Sequence, residues 1–152
     1  MVTIAVETPD QEDVRGLLRE ADARSAALYP AESRHGLGVD ALVACAAVFF
    51  VARLEGEAVG CGGFVPGGDG RAELKRMFVR ASARRRGIGG LILRTIEDAA
   101  AARGVRVMQL ETGVQSAEAL ALYRGFRYRE RGPFGAYRPD PLSVFMEKRL
   151  AG

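Results

Sequence analysis

The stretch LKRMFVRASARRRGIGG, residues 74–90, decides the fold. Its opening residues complete AELKRMFV (72–79), whose apolar character predicts a strand. Its last residues open GIGGLILRTIEDAAAAR (87–103). There Ile88, Leu91, Ile92, Thr95, Ile96 and Ala99 share one helical stripe, and Gly104 is a stop signal. Arg84, Arg85, Arg86, Gly87, Ile88, Gly89 and Gly90 form the junction. The first turn of a helix carries N–H groups without acceptors at the positive end of its dipole. Glycines there let an anion approach the backbone closely. The pattern fits a phosphate cradle; it fits equally a glycine turn beneath a solvated basic loop.

Working outward, residues 3–7 alternate and predict a strand. A helix is expected from Pro9-Asp10 to near Tyr29-Pro30, with Val14, Leu17, Leu18 and Ala21 on its apolar side. A looser stretch, 31–38, leads to a short helix over 39–45. VFFVARL (48–54) and AVGCGGFV (58–65) read as a hairpin turning at Glu55-Gly56, although Gly60, Gly62 and Gly63 argue against the second strand. Downstream come a strand over 106–112, a helix over 116–123, a strand over 126–131, a turn-rich loop and a last strand over 142–150. Strands outnumber helices, and hairpins mix with crossovers. The order predicts one α/β domain over residues 1–152, built on a single mixed sheet. The last strand, if exposed, is a candidate for pairing two copies into a homodimer.

The chain has 152 residues and a formal net charge of +3, unevenly distributed. Residues 1–70 carry five Arg and eleven acids, and residues 71–131 carry fourteen Arg or Lys and six acids. The basic middle suggests an anionic partner, a phosphorylated small molecule or a nucleic acid. The acidic first segment hints at a cationic second substrate. No apolar run reaches the roughly 18–20 residues of a spanning helix. The N-terminus lacks a basic segment followed by an apolar one, so a cytoplasmic protein with no membrane partner is expected. Two Cys, with no CxxC, and one His give no metal centre. Cys45 and Cys61 read as small buried apolar residues. There is no P-loop, no GxSxG elbow, and no dinucleotide fingerprint, since Gly36-Leu37-Gly38 does not follow a strand.

The run from Leu74 to Gly90 resembles the signature of the GNAT superfamily of N-acetyltransferases: a strand ending in Val, a short loop, then [Q/R]-x-x-G-x-[G/A] opening a helix. Arg84, Gly87 and Gly89 fill its three defining positions. The likeness continues through RVMQLET (106–112) and the helix bearing Leu122-Tyr123, so it covers most of residues 48–150. The tail FGAYRPDPLSVFMEK is similar to that of small bacterial members. The resemblance implies an α+β fold. Its mixed, mostly antiparallel sheet would have six to seven strands and about four helices on both faces, splayed between strands 72–79 and 106–112.

It also implies an activity: acetyl transfer from acetyl-CoA directly to a primary amine in a ternary complex. In similar enzymes the diphosphate lies on loop amides, here Arg85, Arg86, Gly87, Ile88, Gly89 and Gly90, with Arg84 at the loop's start. The pantetheine arm pairs with the preceding strand end, here Met77, Phe78 and Val79, and the N–H of Val79 or Phe78 would meet the oxyanion. Tyr123 takes the role of acid toward the leaving thiolate; the bare pattern also fits a packed core Tyr. Glu73 first, and Glu111 after it, are candidates for the base, each also readable as a surface or ion-paired acid, and water could relay the proton. Similar proteins often place Asn after the second strand, and Gln115 stands nearest to that position. The family's LY-x-x-x-G-[F/Y] aligns without a gap only if Arg127 replaces its glycine, which implies a strained turn there. His35, Phe134 and Tyr137 are candidates for the acceptor mouth, or simply packed loop residues. The alternative to catalysis is a coenzyme A-binding or nucleic-acid-binding module.

Overall fold

The computed structural model describes residues 1–150. Seven strands form one sheet: β1 (Val2–Val6), β2 (Val48–Leu54), β3 (Glu57–Pro66), β4 (Arg71–Val79), β5 (Val107–Gly113), β6 (Arg129–Arg131) and β7 (Ser143–Arg149). Their order is β1-β2-β3-β4-β5-β7-β6, and every neighbouring pair is antiparallel except β4 and β5. Helices α1 (Glu12–Leu28) and α2 (Val39–Ala44) cover one face, where Val14, Leu17 and Leu42 meet Phe49, Val51 and Cys61. Helices α3 (Ile88–Ala102) and α4 (Ala117–Gly125) cover the other, where Ile92, Ile96, Leu120 and Tyr123 meet Phe50, Leu74 and Leu110. This is the α/β architecture expected from the sequence, with seven strands and four α-helices.

The glycines of β3 do not interrupt it. Gly60 and Gly62 face α3, and a methyl group added to them would lie 2.9 Å from Ile92 Cδ1 and 2.5 Å from Met77 Sδ. They are small because the helix and the neighbouring strand pack directly onto the sheet there.

Two elements depart from expectation. The strand expected over 126–131 is only three residues long, because Phe126 caps α4 and Arg127 turns the chain with φ of 72°. Tyr128 N–H then bonds back to Tyr123 O at 2.9 Å, closing the helix end. The last strand is not an edge: β7 lies between β5 and β6, so it offers no open ladder to a second copy. The free edges are β1 and the short, charged β6, a poor template for pairing.

The strained turn expected at Arg127 is present. Its left-handed conformation, which glycine adopts freely, costs a residue with a Cβ roughly 1–2 kcal/mol. Its side chain is exposed. Glycine adds chain entropy to the unfolded state, which offsets part of the gain, so Arg127→Gly is expected to stabilise the protein by about 0.5–1 kcal/mol. Urea unfolding measures this; a loss of stability would contradict the strain.

Candidate active site

The site exists because β4 and β5 part company. Only Arg71–Val107, Ala72–Met108 and Glu73–Gln109 pair, all at the start of the two strands. Beyond Glu73 the strands diverge around a cavity of about 460 Å³. A bulge in β4 accompanies the divergence: its pairing with β3 shifts between Cys61 and Gly63, and Arg76 has φ of 59°. The Arg76 guanidinium is drawn away toward α1, donating to Asp22 at 2.7 Å and to Leu18 O at 3.2 Å.

At the cavity's outer end stands the N-terminus of α3. Gly87 caps it with φ of 73°, and Arg85 has φ of 65°. The first helical bond runs from Leu91 N–H to Gly87 O. The amides of Ile88, Gly89 and Gly90 precede it, and no side chain caps them. No acid lies in the first turn of α3. Arg84, Arg85, Gly87, Ile88, Gly89 and Gly90 all line the cavity, whereas Arg86 is exposed and not part of its wall. Arg84 Nε donates to Val79 O at 2.9 Å and its guanidinium lies over the Phe78 ring at 5.6 Å, tying the loop to the strand.

Met77, Phe78 and Val79 form the β4 wall. Arg80 N–H bonds across to Val59 O, so by strand alternation Val79 turns its backbone toward the splay. Phe78 has the opposite parity and its backbone faces β3, paired with Cys61. Of the two amides considered for an oxyanion, only that of Val79 faces the splay.

Tyr123 and Glu111 line the same cavity from α4 and β5. Tyr123 is buried, its ring edge-on to Tyr128 at 5.8 Å, and its hydroxyl has no hydrogen-bond partner among the described residues. Burial, reinforced by the charge of Glu111, raises its pKa, so the phenol keeps its proton. Burial also raises the pKa of Glu111, opposed by the Ser143 hydroxyl, which donates to it at 2.8 Å, and by the charges of His35 and Lys75. The carboxyl is thereby poised nearer neutral pH than an exposed one.

Glu73 lies elsewhere. It does not line the cavity; it pairs with Lys75 at 3.0 Å and accepts the Tyr137 hydroxyl. Gln115 is also outside, its side chain exposed and its N–H donated to Tyr29 Oη at 2.9 Å. Cys61 is buried as expected, but Cys45 is exposed at the end of α2. Phe134 and Tyr137 pack with Phe145, and Tyr137 lies edge-on to His35 at 5.2 Å. His35 lines the cavity; neither loop aromatic does.

Sequence reasoning missed Tyr29 and Lys75. Tyr29 ends α1 and shares a 2.8 Å hydrogen bond with Ser116 across the top of the splay. A methyl group on Gly113 would overlap the Tyr29 hydroxyl at 2.0 Å, so glycine at 113 is a readable, if nonspecific, sign of close approach. The basic surplus of residues 71–131 is partly internal. Arg76, Arg80, Arg124 and Arg131 are each paired to a carboxylate. No helix of the described residues is long and apolar enough to cross a membrane, and they contain no group of His, Cys, Asp or Glu arranged to hold a metal.

Glu111→Gln separates stability from catalysis. A carboxyl whose pKa is raised on folding contributes favourably below its ordinary range, and that contribution is lost as pH rises through the raised value. The amide stays neutral and still accepts from Ser143. The variant is therefore expected to melt higher than the parent at neutral pH, with the difference vanishing under acidic conditions. Thermal unfolding across pH checks it; a variant less stable at neutral pH would contradict the burial.

The sequence model of the Acetyltransferase (GNAT) family matches residues 15–126. Over 150 residues the chain is 49% identical to the IAA acetyltransferase of Azospirillum brasilense, covering 98% of each chain. A solved structure from Klebsiella pneumoniae, assigned to the acyl-CoA N-acyltransferases, superposes with a TM-score of 0.84 at 33% identity over 99% of both chains. The PaiA N-acetyltransferase of Thermoplasma acidophilum, solved with coenzyme A, shares the fold with a TM-score of 0.77 at 16% identity, covering 98% of this chain and 99% of that one. With the family's pattern running from α1 to the end of α4, and a relative 49% identical over almost the whole chain, the protein belongs to the GNAT family of acetyltransferases.

Proposed function

We propose that the chain moves an acetyl group from acetyl-CoA directly to a primary amine, with both substrates held in the β4–β5 splay. One observation carries the reading: the helix start, the Val79 amide, Tyr123 and Glu111 converge on a single cavity. The amides of Ile88, Gly89 and Gly90, with Arg84 and Arg85, would hold the diphosphate. Met77 and Val79 would pair with the amide-bearing arm as an added strand. Glu111, directly or through one water, takes a proton from the amine, whose lone pair attacks the thioester carbon. The Val79 N–H stabilises the oxyanion that forms. The carbon–sulfur bond then breaks, and Tyr123 supplies the proton to the departing thiolate.

Glu111 fits the role of base better than Glu73, because Glu73 is already committed to Lys75 and Tyr137. The reading is tested with a panel of amines assayed for free thiol release, with the acetylated product identified by mass. Turnover with at least one primary amine is expected. Tight coenzyme A binding without turnover of any amine would leave the protein a binding module instead.

A further inference from the structure

We infer that the acceptor is a small molecule with a carboxylate close to its amino group, and that Arg34 binds that carboxylate. This rests on the proposed amine acetylation and narrows its substrate class.

Two loop segments, one carrying Ser33 and His35 and the other Tyr137 and Asp140, are clamped to each other, and the first of them lines the cavity. Ser33, buried, donates its hydroxyl to Asp140 at 2.7 Å. Lys75 Nζ donates to His35 O at 3.2 Å and to Tyr137 Oη at 2.9 Å, joining the same two segments. The cavity of about 460 Å³ must also admit the arm of the acyl carrier, so the acceptor is small.

Charge then selects its chemistry. The acids of residues 1–70 that hinted at a cationic acceptor are largely spent on arginines: Glu7 and Asp13 on Arg53, Glu20 on Arg80, Asp22 on Arg76. Within the wall, Lys75 is neutralised by Glu73 and Arg76 by Asp22. Arg34 is different. It lines the cavity beside His35, is exposed, and among the described residues its side chain has neither a carboxylate partner nor a hydrogen bond. Its forked donors match a carboxylate in two parallel bonds. Glu111 in the same cavity would receive the amine. Arg85, also without an ion pair among the described residues, stands at the start of α3 beside the proposed diphosphate site, and Glu118 pairs with Arg24 and Arg84 at 3.9 Å; that leaves Glu111 and Arg34 to suit a molecule bearing both an amine and a carboxylate.

The test compares acceptors differing only at the carboxylate: phenylalanine, phenylalaninamide and phenethylamine, then leucine, leucinamide and isoamylamine, all by thiol release. In at least one set the free acid should exceed both neutral analogues in kcat/KM by about tenfold or more. Arg34→Gln should raise the KM of that acid by about tenfold to a hundredfold while kcat and the KM for acetyl-CoA stay within about twofold. Arg34→Lys should recover part of the loss. Amines or amides matching the acids, or an unchanged KM in Arg34→Gln, would overturn the inference while leaving amine acetylation standing. Absence of thiol release with every amine would overturn both.

Discussion

Tyr123→Phe should lower kcat by about a hundredfold or more, the usual contribution of a positioned proton donor, while leaving the affinity for coenzyme A within about twofold. The substitution is clean because of how the side chain sits. The ring is buried in the α3–α4 core and packs edge-on against Tyr128, and phenylalanine preserves both. The hydroxyl bonds to no described residue, so its removal strands no buried partner. Its raised pKa keeps the phenol protonated at neutral pH, the state an acid toward a thiolate needs. The melting temperature should therefore stay near that of the parent. Wild-type turnover in this variant would remove Tyr123 from the chemistry and leave it as a core residue.

The second large effect is expected at the start of α3. Arg85→Glu places a like charge beside the diphosphate and should weaken coenzyme A binding by about tenfold or more at low salt, with the difference shrinking as salt rises. Arg85 is exposed and forms no ion pair among the described residues, so the effect is not confounded by lost packing. Arg84 is a less clean choice, because it also holds Val79 O and covers Phe78. Gly89→Val tests the same cradle through shape. A Cβ there would lie 3.4 Å from Leu122 Cδ2 and 3.8 Å from Val79 Cγ2, contacts that the fold tolerates. The remaining bulk would occupy the space where an anion meets the amides. Calorimetric titration of coenzyme A into both variants measures this; unchanged affinity in both would refute the cradle.

Much of this was readable before the structure because it is local. The stripe from Ile88 to Ala99, the glycine corner before it and the turn at Glu55-Gly56 each have signatures within a few residues. Arg127 was legible as well, since a glycine position filled by arginine implies the positive φ that is observed. What escaped is long-range. Tyr29 meets Ser116 across 87 positions and Lys75 meets Tyr137 across 62, with no local pattern to announce either. The choice between Glu73 and Glu111 had the same origin: both lie on the parting strands, and only the position of Lys75 and the loop carrying Tyr137 shows which carboxyl is occupied. The interior position of β7 was hidden because a three-residue strand, RER, covers its outer side without any apolar signal.

The central claim is that main-chain donors at the glycine corner hold the diphosphate of the acyl carrier. A crystal structure with coenzyme A bound tests it most directly. Diphosphate oxygens are expected within hydrogen-bond distance of the Ile88, Gly89 and Gly90 amides, with the thiol end between Val79 and Tyr123. Coenzyme A seated away from the start of α3, or with its thiol outside the β4–β5 splay, would contradict it.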